Sequence, residues 1–263
     1  MRYILLLATL MLLVLATACT TQPTESPISS DVITTVQTAT PTEQTTTIPT
    51  TTPVQMVISD DDINRHFLNI AFGRTDILLR KVYTGPAYKV AFNLNGLSNS
   101  DDIKFITEFA RNYNQFTQTD TFHEPPRVTT SGTVGTGNIA INFYPPDYLK
   151  SISDYSIISK KVDPETGDYS FVISQPKDRP TQYYINSDLS INKRNHYIMK
   201  SIFHFLGFAG ETYNYPDSFF YADNHDGIDL IPLDKAAISV MYNRNIFRGM
   251  SITQVKDTLL IDS

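Results

Sequence analysis

The chain predicts an α+β fold, a mixed sheet with packed helices. Two observations point there: short runs of alternating apolar and polar residues lie among longer runs with helical apolar spacing, and the two kinds do not follow the regular order of βαβ units. Both kinds of run fall within residues 58–263, and two stretches of different composition precede them.

The first stretch is residues 1–19. Arg2 is followed by an apolar run from Ile4 to Ala18 broken only by Thr9 and Thr17, the length of a signal-peptide core and short for a membrane span of ~20 residues. It ends in Ala16-Thr17-Ala18-Cys19, which resembles the lipobox where a lipoprotein signal is cut and the new N-terminal cysteine takes up lipid. An ordinary cleaved signal or an uncleaved anchor would export the rest of the chain equally. The expectation is a protein on the outer face of the cell membrane or envelope, with the membrane as a partner through lipid on Cys19. Because Cys19 is the only cysteine, no disulfide can form within the monomer and stability must come from the core.

The second stretch, residues 20–57, is rich in Thr, Pro, Gln, Ser and Glu and shows no hydrophobic periodicity. Such a segment buries too little apolar surface to offset the entropy of ordering, so a disordered stalk is expected, resembling an O-glycosylated one. Extended at about 3 Å per residue, it would hold the globular part up to ~100 Å from the membrane.

Within residues 58–263, Ser59 caps a helix from Asp60 to Phe72 that opens on three aspartates. Tyr88 to Leu94 alternates as a strand, and Asn99 or Ser100 starts a helix through Phe116. Asn138 to Tyr144 is a strand stopped by Pro145-Pro146, and Ser156 to Val162 with Asp168 to Ser174 flank the turn DPETGD as a hairpin, beside which Thr181 to Asn186 pairs. Ser190 opens a helix with Ile198, Ile202, Phe205 and Leu206 at helical spacing and Gly207 or Gly210 as its stop. Short helices follow near Pro232–Tyr242 and Ser251–Leu260. The net charge of −6, without a basic patch, argues against nucleic acid as a partner.

KSIFHFLGF, from Lys200 to Phe208, resembles the zinc-binding helix of the zincins, HExxHxLG, and SVMY at Ser239–Tyr242 resembles the Met-turn of metzincins, with Met241 in the methionine position. Residues from about Ala87 to Leu260 are also similar to a family of exported lipoproteins named domain of unknown function 2927, itself zincin-like. The likeness is carried by FLGFAGET, PDSFFY, LIPLDKAAI and RGMSITQV. The resemblance implies a zincin-like fold with a central helix of the HExxH type and a Met-turn-like segment. In that helix two histidines four residues apart present imidazoles to zinc, and a glutamate activates the attacking water.

This chain keeps little of that chemistry. His204 matches the second histidine and Gly207 the motif's glycine. The first ligand falls on Lys200, an ammonium that repels a dication, the general base on Ser201, and the third ligand on Gly210. A general base alone is worth roughly 10²–10⁴ in rate. The expectation is therefore a domain without metal or other cofactor and without catalytic residues: a pseudo-metallopeptidase serving as a surface binding or structural module, its partner a peptide or an envelope protein. The alternative is a zinc-dependent metallopeptidase or another hydrolase with a non-standard site.

His196, Lys200 and His204 form one helix stripe, yet His196 and His204 are ~12 Å apart along the axis, too far to share an ion. Asp223, His225, Asp226 and Asp229 resemble a calcium loop only superficially, since Ala222 and Leu233 stand where an EF-hand needs Asp and Glu, and a solvated turn is the better reading. Glu211, Asp217 and Tyr213 are candidates to line the cleft, with Glu211 paired to Lys200 in place of a metal. Ser201 lacks the GxSxG elbow of a serine hydrolase.

Overall fold

The computed structural model describes residues 58–73, 79–82, 89–130, 138–152, 156–175 and 181–260. All of them belong to the compact unit Gln55–Ser263. The expected signal, Cys19 and the expected stalk lie outside the described residues, as do the start of the expected strand at Tyr88 and the last three residues.

In chain order the elements are α1 (Asp60–Phe72), β1 (Ala91–Gly96), α2 (Ser100–Thr117), β2 (Val128–Thr129), β3 (Asn138–Tyr144), α3 (Pro146–Lys150), β4 (Ser156–Val162), β5 (Tyr169–Gln175), β6 (Gln182–Asn186), α4 (Ile191–Leu206), α5 (Pro232–Val240) and α6 (Ile252–Leu259). The fold is α+β, with one six-stranded mixed sheet in the order β2-β1-β3-β6-β5-β4. β2, β1, β3 and β6 run parallel to one another, while β5 is antiparallel to both β6 and β4.

Local sequence sets most of these boundaries. The Ser59 side chain accepts the Asp62 amide at 3.1 Å, and three aspartates stand where the helix dipole favours negative charge. Asn99 caps α2 in a reciprocal box: its side chain takes the Asp101 and Asp102 amides while Asp102 takes the Asn99 amide at 2.8 Å. Asp163 closes the β4–β5 turn, its carbonyl accepting the Gly167 amide and its own amide bonding Asp168 O, both at 2.8 Å. Pro145-Pro146 ends β3 as expected but also opens α3, with Pro146 in the first helical turn where a missing N–H costs nothing. Ser190 marks the start of α4 without making a side-chain capping bond.

The main core lies between the sheet and α1, α2, α4 and α5, with α4 against β3 and β6. A smaller cluster of Leu149, Ile152, Val172 and Tyr184 sits under α3, which packs on β5 and β6. Burial on both faces is why β3 reads Ile-Ala-Ile-Asn-Phe rather than alternating strictly. β4, last in the order, exposes Ile157, Ile158 and Val162.

Two buried polar networks fix the helices. Arg194 of α4 bonds both Asp102 carboxylate oxygens, donates to Ser187 O at 2.7 Å and stacks over the Phe143 ring at 4.6 Å. Asp234 of α5 accepts His66 Nε2 at 2.7 Å and Ser218 Oγ at 2.6 Å on one oxygen, and the Phe219 and Ile231 amides on the other. Each burial of charge is thus matched by partners, without which it would be costly. Among the described residues no helix is long and apolar enough to cross a membrane.

Candidate functional site

α4 builds one wall of a cleft of about 470 Å³ by turning Lys200, Phe203, His204 and Gly207 to the same side, the i, i+3, i+4, i+7 set of one helix face. The facing wall is β4 from Ile158 to Lys161 with Phe171 and Ile173 of β5, and Arg80, the end of α1 and the segment Gly207–Glu211 close the rest.

The cleft's chemistry centres on one carboxylate. Glu211 Oε1 lies 3.2 Å from Lys200 Nζ and 3.1 Å from Lys161 Nζ, so two ammonium groups share a single oxygen. The Lys200 side chain is only 14% exposed. Its burial pulls the ammonium below the ordinary lysine range, and Glu211 offsets only part of that. Burial pushes the Glu211 carboxyl up, but Lys200 and Lys161 together outweigh it and hold the group below the usual carboxylate range. The pairing of Lys200 with Glu211 expected from the sequence is therefore present, with Lys161 as an added member.

His204 also faces the cleft. Its Nδ1 lies 2.9 Å from Tyr183 Oη, which leaves Nε2 as the nitrogen without a partner among the described residues. Burial, with Arg80 adding like charge, pulls the ring down to about 4, so it is neutral at physiological pH. Burial moves the Tyr183 hydroxyl upward, keeping it protonated.

The remaining positions of the motif fare differently. Ser201 is fully buried, and its hydroxyl donates to Tyr197 O at 2.8 Å, the back-bond of a helical serine. Gly207 ends α4 at φ +109°, where a side chain is strained and a Cβ would come within 2.4 Å of Arg80 O. At Gly210 a Cβ would lie 2.0 Å from Asn69 O, because this segment packs backbone to backbone on α1. Zinc does not fit these residues: one position carries an ammonium, one a buried hydroxyl, and the third admits no side chain. Among the described residues no three or more His, Cys, Asp or Glu are grouped to share a metal ion.

The other candidates separate from the cleft. Tyr213 joins Glu211 in lining it, whereas Asp217 does not. His196 is fully buried, with Nδ1 donating to Gly227 O at 2.7 Å and burial lowering the ring to about 4. Asp223, His225 and Asp226 line a second cavity, of about 590 Å³, with Lys161 and Lys193. Asn224, which the sequence did not single out, organises that turn: its side chain accepts the Gly227 amide at 2.8 Å and donates to Ser218 O and Phe219 O. Met241 is buried at the turn that ends α5, its amide bonded to Ile238 O. Ser218, His66 and Asp234 contain the residue types of a hydrolytic triad, but all three are sealed from solvent and the serine donates to the aspartate.

Arg80, Lys160, Lys161 and Tyr183 were not legible as site residues. Nothing in the pattern around Arg80 marks it, and Lys160-Lys161 on a strand reads as an ordinary exposed edge. No family model, no curated protein and no solved structure matches the chain.

Proposed function

We propose that this chain is an exported protein, anchored to the outer face of the membrane by lipid on Cys19, whose globular part is a degenerate zincin-like domain similar to the domain of unknown function 2927 family. It acts as a non-catalytic surface module that binds a peptide or an envelope component in the cleft beside α4. One observation carries this reading: the helix directs Lys200 and His204, four residues apart, into one cleft, and Lys200 is held by Glu211 where the motif would place a metal ligand. A protonated amine has no lone pair for a metal, and one imidazole does not retain zinc against solvent. Ser201 has no basic group for a water's proton, and its hydroxyl is committed to Tyr197 O.

Metal analysis of the purified chain after incubation with excess zinc and desalting tests the proposal. The expected result is zinc far below one equivalent, unchanged by His204→Ala. One equivalent of zinc, lost in His204→Ala, overturns it in favour of an enzyme with a non-standard site.

A further inference from the structure

We propose that the cleft recognises a carboxylate on its ligand, supplied by an acidic side chain of a bound peptide; this rests on reading the cleft as a binding site. The argument begins with charge. Among the described residues, the ionisable side chains that line the cleft beside His204 and Tyr213 are four cations, Arg80, Lys160, Lys161 and Lys200, and one anion, Glu211. Four minus one leaves a local excess of three positive charges in a chain whose formal net charge is −6. Such a reversal of sign inside a concave, low-dielectric wall focuses field on whatever enters it.

The geometry places that excess where a ligand can reach it. Lys200 and Lys161 approach the same oxygen, Glu211 Oε1, so a single carboxylate is asked to neutralise two ammonium groups. Among the described residues Arg80 has no carboxylate within ion-pair distance, although it is exposed at the mouth. A second carboxylate would complete the set, taking up lysine protons that Glu211 leaves unshared and strengthening charge-assisted hydrogen bonds in a partly dry site. Burial already disfavours the Lys200 ammonium, which an arriving anion relieves.

The surroundings favour a peptide over a small free acid. Phe203, Phe208 and Phe220 give the cleft an apolar floor that a bare carboxylate cannot use. Ile158 of β4, the last strand in the sheet order, stands exposed at its edge, and an end strand of this kind can accept an extended chain.

Fluorescence polarisation with the full chain in detergent tests this, using labelled, C-terminally amidated hexapeptides of Ala and Phe that differ only in a central Glu, Gln or Lys. A fourth peptide carries Gln and a free C-terminal acid, and free glutarate serves as a competitor. Saturable binding of the Glu peptide, about tenfold tighter than the Gln or Lys peptide and weaker at high salt, supports the proposal. Lys200→Met should lose about the same factor, and Lys161→Met, on an exposed strand, gives the same reading if the first variant fails to fold. Equal binding of the Gln peptide overturns the carboxylate inference while leaving a peptide-binding cleft. Preference for the terminal acid, or glutarate binding as tightly as the Glu peptide, overturns the acidic side chain as the source. No saturable binding of any peptide overturns both the inference and the binding reading beneath it.

Discussion

Replacing Gly210 by alanine tests the backbone contact that closes the third motif position. The added Cβ would stand 2.0 Å from Asn69 O, 2.7 Å from Gly73 N and 2.8 Å from Gly73 Cα, all backbone atoms that no rotamer change can move aside. Overpacking of this kind costs roughly 1–3 kcal/mol. Any shift that relieves it also stretches the hydrogen bond from the Gly210 amide to Ile70 O, now 2.8 Å long, a further loss of about 1 kcal/mol. The sum is about 3 kcal/mol, which at about 3 °C per kcal/mol for a domain of this size lowers the melting temperature by about 10 °C. Gly167→Ala is the matched control: no atom lies within 4 Å of the new Cβ, and its φ of +71° leaves a backbone cost of only about 1–2 kcal/mol. Circular-dichroism melts of the two variants against the parent chain decide the matter. If Gly210→Ala melts no lower than Gly167→Ala, the close approach of this segment to α1 is wrong, and with it the argument that the position is closed to a ligand.

Two further outcomes follow from the buried groups. His196 and His204 titrate at about 4 in the folded chain and near 6.5 when unfolded, so across that window the unfolded chain binds more protons and stability falls as pH falls, by up to about 3 kcal/mol for each ring. Urea midpoints measured between those pH values should therefore drop on acidification, and less steeply in His196→Gln; a slope identical to the parent's refutes the assignment. Asp102→Ala strands the Arg194 guanidinium in the core and removes an acceptor from the Asn99 amide, a loss of about 3–5 kcal/mol, while Asp102→Leu combined with Arg194→Met loses less because no charge is left unpaired. A double variant as unstable as the single one counts against this account.

Much of the fold could be read directly from local signals. The α1 and α2 starts, the end of β3 and the β4–β5 hairpin fall where capping residues, the Pro145-Pro146 stop and the DPETGD turn place them, because each of those devices acts within a few residues of itself. β2 spans only two residues, too short to leave an alternating trace, and α3 begins at a proline that the sequence marks equally well as a strand stop. The parallel pairing of β1, β3 and β6 is set by helices packing across the sheet and has no short-range signature. The site divides the same way. Lys200 and His204 are legible because one helix motif orders them, and Glu211 because it follows that helix within a few residues, whereas Arg80, Lys161 and Tyr183 join them only through tertiary packing.

The register of α4 therefore decides what the cleft can do, and that register is set away from the cleft. At its first turn Arg194 is clamped between Asp102, Ser187 O and the Phe143 ring. At its last turn Gly207 allows the left-handed exit that brings the next residues onto α1, and Gly210 allows the contact itself. With both ends pinned, a rotation that exposed Ser201 or withdrew Lys200 would break a buried ion pair or drive one backbone into another. Lys200 must face Glu211, and because Lys161 meets the same oxygen from the opposite wall, the ion cluster joins helix and strand across the opening. An incoming anion would act on that junction, sharing the two ammonium groups that now depend on a single carboxylate.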